Sequence, residues 1–116
     1  MEGNKTMSDQ LNNRVALITG AGRGIGQAVA IWLAEAGASV VVNDLGVNLD
    51  GTGPQGGPAD DTVQLITNQG GTAVASYDSI ATWEGAHKAV QVAIDNFGRL
   101  DIMVHVAGVL RDRMFF

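Results

Sequence analysis

Along the 116-residue chain, runs of consecutive apolar residues alternate with stretches of helical period, and this alternation restricts the fold more than any other feature. The runs are Val15-Ala16-Leu17-Ile18, Val40-Val41-Val42, Ala73-Val74-Ala75 and Ile102-Met103-Val104-His105-Val106. They are apolar nearly throughout rather than every second residue, as expected of strands buried on both faces. Between the first two runs, Ile25, Ala28, Val29, Trp32, Leu33 and Ala36 recur at steps of three and four and stop at Gly37, which predicts a helix. A second helix is predicted over 59–69, burying Val63 and Ile66 and closing at Gly70-Gly71. A third carries Trp83, Ala86, Val90, Ala93, Ile94 and Phe97 and ends at Gly98. Trp32 and Trp83 fall on these apolar faces and are expected in the core. The order βαβαβαβ predicts an α/β fold, a doubly wound parallel sheet with helices on both faces, because right-handed crossovers return each helix over the sheet.

Length allows a single domain. Residues 1–13 are polar and without periodicity and are expected to form a disordered tail, with the ordered domain over 14–116. The segment 45–58 holds five glycines and both prolines and is expected to be one long loop. Twelve acids against seven bases give a net charge of −5, which disfavours nucleic acid as a partner. The chain has no cysteine, so a disulfide scaffold, a thiolate metal site and a cysteine nucleophile are excluded. Acids are scattered, with no spacing that suggests zinc or calcium ligands. No apolar run approaches the roughly 20 residues of a membrane span. The first ten residues lack the pattern of a secretion signal, and the expected location is the cytoplasm.

In such sheets ligands bind beyond the carboxyl ends of the strands, so the residues after each strand are the ones to inspect. The first strand runs into Thr19-Gly20-Ala21-Gly22-Arg23-Gly24-Ile25-Gly26 and then directly into a helix. Glycines let the backbone turn sharply and approach a pyrophosphate, and the free amides at the helix start offset its charge. Asp44 stands 18 positions after Gly26, at the end of the second strand and beside Leu45. A carboxylate there can accept hydrogen bonds from the adenosine ribose hydroxyls and repels the additional phosphate of NADP. The alternative for Asp44 is a turn-capping role. Arg23 is able to bind a 2′-phosphate, but the acid stands where that phosphate would go, so NAD is expected over NADP.

Asp78, followed by Ser79, is placed to accept from the adenine amino group, with a turn aspartate as the equal alternative. After the fourth strand, Ala107-Gly108 lets the chain pass close to a cofactor. His105 is expected to be a hydrogen-bonded core residue rather than a catalytic base, and His87 to be solvated.

These residues resemble the short-chain dehydrogenase/reductase family, whose Thr-Gly-x-x-x-Gly-x-Gly motif is matched by Thr19, Gly20, Gly24 and Gly26. The acid of that family after the third strand corresponds to Asp78. Its Asn-Asn-Ala-Gly is met by His105-Val106-Ala107-Gly108, with both asparagines replaced. Val42-Asn43-Asp44-Leu45-Gly46, Tyr77-Asp78-Ser79 and Gly108-Val109-Leu110-Arg111-Asp112-Arg113-Met114 are similar to the 3-hydroxyacyl-CoA dehydrogenase branch, found in peroxisomal multifunctional enzymes of type 2 and in related bacterial proteins. The resemblance implies a Rossmann-type NAD(P)-binding domain that interconverts a secondary alcohol and a ketone, on 3-hydroxyacyl or 3-oxoacyl thioesters among other substrates. It assigns Gly20, Gly24 and Gly26, with Thr19, Arg23 and Ile25 beside them, to the pyrophosphate. It gives Asp44 and Leu45 to the adenosine ribose, and Asp78 and Ser79 to the adenine. His105, Val106, Ala107 and Gly108 take the inner ribose and nicotinamide side.

The family also works through a serine and a Tyr-x-x-x-Lys pair, in which the lysine lowers the tyrosine pKa. The one tyrosine here is Tyr77, the residue four further on is Ala81, and the lysines are Lys5 and Lys88. The expectation is therefore an incomplete domain, the N-terminal half of such an enzyme, which holds the cofactor but has no catalytic residues of its own. The fourth strand would leave an unpaired edge, and assembly with other chains, as a homo-oligomer in the parent, is expected. Met114-Phe115-Phe116 would leave exposed apolar side chains at the terminus. The alternative is a non-catalytic dinucleotide sensor or interaction module.

Overall fold

A computed structural model describes residues 10–45 and 57–106. The elements are β1 (Val15–Thr19), α1 (Gly24–Glu35), β2 (Ser39–Asn43), α2 (Gly57–Asn68), β3 (Thr72–Ser76), α3 (Trp83–Phe97) and β4 (Ile102–His105). The four strands form one sheet in the order β3-β2-β1-β4, with every neighbouring pair parallel. The chain thus steps outward from β1 to β3 and then crosses back to place β4 on the other side of β1. The strand order reverses between β1 and β4, and sheets of this kind bind their ligands beyond the carboxyl ends of the strands at that point.

Successive strand residues point to opposite faces, and each face has its own cover. Ala16, Ile18, Val40 and Val42 pack with Ala30 and Leu33 of α1 and with Ala59 and Ile66 of α2. On the reverse face, Val15, Leu17 and Val41 meet Ala89 and Ala93 of α3. β1 is buried along its full length and β2 from Val40 to Asn43, as the unbroken apolar runs require.

Four local expectations need correction. Leu11, placed in the polar tail, packs against the α1/α2 side of the core, and its N–H donates to the Ala36 carbonyl at 2.7 Å. The glycine-rich loop is shorter than expected, because α2 begins at Gly57 and takes Pro58 into its first turn, where a proline lacks no needed amide. Trp32 and Trp83 are not core residues: they are 54% and 78% exposed. Trp83 instead stacks on His87 one turn later, with ring centroids 5.2 Å apart, and His87 is exposed as expected. His105 is likewise exposed, because α3 packs over β1, β2 and β3 while β4 lies at the sheet edge. Residues 46–56, Ala107, Gly108 and Met114-Phe115-Phe116 lie outside the described residues.

The amino ends of β1 and β4 are joined through Asp101. Its Oδ2 accepts from the Val15 N–H at 2.8 Å, its own N–H donates to the Val15 carbonyl at 2.9 Å, and Arg99 Nη2 lies 2.7 Å from Oδ1. The Arg99 hydrogen bonds, and after them the Val15 amide, hold the Asp101 carboxyl below the ordinary carboxylate pKa. A depressed pKa in the folded state contributes stability that is complete above the ordinary value and is lost as pH falls through the depressed one. Asp101→Asn should therefore lower the thermal midpoint at neutral pH, and its difference from the native protein should shrink on acidification. A difference that stays constant from neutral to acid pH would contradict this link.

Candidate functional site

The four strands end at one level, and the register aligns Ser76, Asn43, Thr19 and His105 across the sheet. These polar residues lace the carboxyl ends of the strands together. Asn43 Nδ2 donates to Ser76 Oγ at 2.9 Å and to the Asp78 carbonyl at 3.0 Å. Thr19 Oγ1 accepts from the Val106 N–H at 3.1 Å and lies 2.9 Å from His105 Nδ1. The hydrogen-bonding expected of His105 is therefore present, with its partner at the end of β1. Removing the Thr19 hydroxyl would release the step from β4 into the segment that follows it.

Above this row, the glycine loop leaves β1. Gly20 and Gly24 have φ of +67° and +61°, a region where side chains are strained. At Gly26 the constraint is space: a Cβ there would lie 2.1 Å from the Gly20 carbonyl oxygen, so α1 starts in direct backbone contact with the loop. Arg23 is the N-cap of α1 in extended conformation, with no side-chain cap bond, and the first turn carries no acid. The contrast with α3 is informative, since Thr82 caps that helix by accepting from the Gly85 N–H and Glu84 lies in its first turn. First-turn amides have no intrahelical acceptor, so the start of α1 is a positive end with no acid in its own first turn. Arg23 and Ile25 are exposed there.

Asp44 reaches this loop from the end of β2. Its Oδ2 accepts from the Gly22 N–H at 2.9 Å. A Cβ on Gly22 would meet Pro58 Cβ at 2.4 Å and Asp44 Oδ2 at 2.7 Å, so loop, carboxylate and the start of α2 close on one another. Leu45 beside it is 43% exposed. Asp78 is half-buried, and its Oδ2 accepts from Ser76 Oγ at 3.2 Å. Ser79 Oγ accepts from the Ala81 N–H. Tyr77 donates its phenol proton to Asp60 Oδ1 of α2, and this bond, with some burial, raises the Tyr77 pKa above its ordinary value. Thr19, the glycine loop, Asp44, Asp78 and His105 thus gather along one edge of the sheet.

Sequence reasoning does not single out Gln27, Thr62 or Pro58, which hold the glycine loop from behind. Thr62 Oγ1 donates to the Ala21 carbonyl at 3.0 Å, and Gln27 Nε2 donates to Thr62 Oγ1 at 3.0 Å and to the Gly22 carbonyl at 3.3 Å. The available signal is spacing: Thr62 stands four residues before Ile66 and so shares its buried face. Among the described residues no cluster of acids and histidines could hold a metal, and no helix is long and apolar enough to cross a membrane.

Comparison with known proteins agrees with this architecture. A family model described as short chain dehydrogenase matches residues 14–116. The chain is 49% identical over 106 residues to peroxisomal multifunctional enzyme type 2 of Mus musculus, covering 91% of this chain and 14% of that protein. It is 50% identical over 105 residues to a putative short-chain type dehydrogenase/reductase of Mycobacterium tuberculosis, covering 90% and 37%. The crystal structure of a short chain dehydrogenase from Mycobacterium avium superposes with a TM-score of 0.77 at 46% identity, over 86% of this chain and 36% of that one. The chain therefore spans little more than a third of these relatives at most. With the parallel sheet, the glycine loop and these matches in place, the chain belongs to the short-chain dehydrogenase family.

Proposed function

We propose that the chain is the cofactor-binding half of an NAD-linked dehydrogenase that interconverts a secondary alcohol and a ketone, with 3-hydroxyacyl thioesters as the substrate class. One observation carries the reading. The uncapped, acid-free start of α1 follows directly on backbone that only glycine fits, and a carboxylate is fastened to the same loop. Amides and carboxylate together suit a ligand with linked phosphates next to a sugar diol.

In this reading the backbone of Gly20, Gly24 and Gly26, with Thr19, Arg23 and Ile25, holds the pyrophosphate. Asp44 and Leu45 receive the adenosine ribose, and Asp78 and Ser79 the adenine. His105 and Val106 are assigned to the inner ribose and nicotinamide side, as are Ala107 and Gly108, which lie outside the described residues. A nicotinamide held there would supply hydride-transfer chemistry. The contribution of this chain is to bind and orient, and the proton of the alcohol is assigned to residues outside it. Tyr77 is unsuited to that task, because its bond to Asp60 raises its pKa, whereas a base needs a lowered one. The substrate class rests on the motif resemblance, and assembly with other chains on the β4 edge. The cytoplasm is kept as the location, with the peroxisome, named in several relatives, as the alternative that a fluorescent fusion would reveal.

Calorimetric titration tests the proposal. The purified chain should bind NAD more tightly than NADP and should not oxidise secondary alcohols. Failure to bind either dinucleotide, or equal affinity for both, would overturn the cofactor assignment, and NAD-dependent turnover would overturn the division of labour.

A further inference from the structure

A loop that offers its amides to phosphates must settle its carbonyls elsewhere, because each peptide unit is planar and its C=O and N–H point in opposite directions. In the glycine loop both relevant carbonyls are taken by side chains from helices. The Ala21 carbonyl accepts from Thr62 Oγ1, and the amide of the same peptide unit, Gly22 N–H, donates to Asp44 Oδ2. The next unit has its carbonyl, Gly22 O, on Gln27 Nε2, which leaves the Arg23 amide on the opposite side. Gln27 Nε2 also donates to Thr62 Oγ1, so the two supports are joined. Thr62 is fully buried.

We infer that Thr62, supported by Gln27, is a positioning residue that sets cofactor specificity through the Ala21–Gly22 peptide, by fixing the amide on which the Asp44 carboxylate rests. The inference builds on the dinucleotide reading above and assigns to α2 a part in it. Thr62 touches neither ribose nor phosphate in this scheme. Its hydroxyl orients one peptide plane, and that plane orients the acid that discriminates between a 2′-hydroxyl and a 2′-phosphate. The hydroxyl has no freedom to do otherwise, since its proton goes to Ala21 O and a lone pair receives Gln27.

The test is the ratio of NAD to NADP affinity, measured by titration in Thr62→Val, Thr62→Ser and the native protein. Valine keeps the shape and removes the donor. The ratio should fall by about fivefold or more, because a loosened carboxylate both holds NAD less well and excludes NADP less well. Serine, which keeps the hydroxyl, should restore it. A general structural role would weaken both cofactors alike and leave the ratio unchanged, and that result overturns the inference while the dinucleotide reading stands. Absence of binding to either cofactor by the native protein overturns both. Should the valine variant not fold, Gln27→Met removes both donated bonds and keeps the bulk. It should move the ratio the same way by about twofold or more, and an unmoved ratio there is equally fatal.

Discussion

Gly26→Ala should lower the affinity for NAD by at least about tenfold and the unfolding midpoint by about 10 °C, from an overpacking cost of roughly 1–3 kcal/mol in a domain of this size. The sign is not obvious in advance. Alanine is the better helix former, by about 1 kcal/mol in a helix interior, and Gly26 lies within α1. Space decides against it, since the new methyl would lie 2.1 Å from the Gly20 oxygen and 2.7 Å from its carbonyl carbon. Both are backbone atoms of the turn proposed to receive the pyrophosphate, so relief can come only by lifting α1 or by opening the turn. Either movement carries the first-turn amides away from the loop. Gly57→Ala is the contrasting case: it also stands in the first turn of a helix, with nothing beyond its chain neighbours within 4 Å of the added atom. That variant should keep native affinity, at only the small stability cost of a side chain before Pro58 in helical backbone. Equal behaviour of the two variants would show that backbone entropy, not contact, governs Gly26.

The same contact explains why the sequence reveals the helices but misplaces some large residues of α1 and α3. In α1 apolar residues surround the axis, so a spacing of three and four fits more than one face. The rotation is settled by Gly26 against Gly20, which turns Gly26, Ala30 and Leu33 inward and leaves Ile25 and Trp32 in solvent. In α3 the pattern repeats. A Cβ on Gly85 would lie 1.7 Å from the Ser79 carbonyl oxygen, so that backbone approach brings Gly85, Ala89 and Ala93 onto the sheet and turns Trp83 outward. Close packing of helix on strand is achieved with small residues, whereas hydrophobicity alone favours the large ones. Strands β1 and β2 were easier to read because burial on both faces leaves no choice of face. The residues of the candidate site stand out in the sequence for a related reason, since each follows a strand. Those behind it, Thr62 and Gln27, were hidden because, apart from their bond to each other, they reach backbone carbonyls, which carry no sequence signal.

Replacement of Asp44 by alanine should weaken NAD by about 10–100-fold, the loss of roughly 1.5–3 kcal/mol of hydrogen bonding to a charged acceptor. Two effects compete for NADP. The variant removes a negative charge that repels the 2′-phosphate, but it also frees the Gly22 amide, and a loop without its brace presents a poorer cradle. Arg23 determines the balance. It stands exposed at the N-cap of α1, on the same loop as the carboxylate, and with the acid gone its guanidinium becomes the dominant local charge. NADP affinity should therefore hold or rise while NAD affinity falls, inverting the preference. Because an exposed charge is screened by salt, the NADP affinity of the variant should decline with ionic strength more steeply than its NAD affinity. Adding Arg23→Ala should abolish both the inversion and the salt dependence. A variant that loses both cofactors in equal measure, with no effect of salt, would place the role of Asp44 in holding Gly22 alone, and the discrimination between cofactors would then lie elsewhere in the protein.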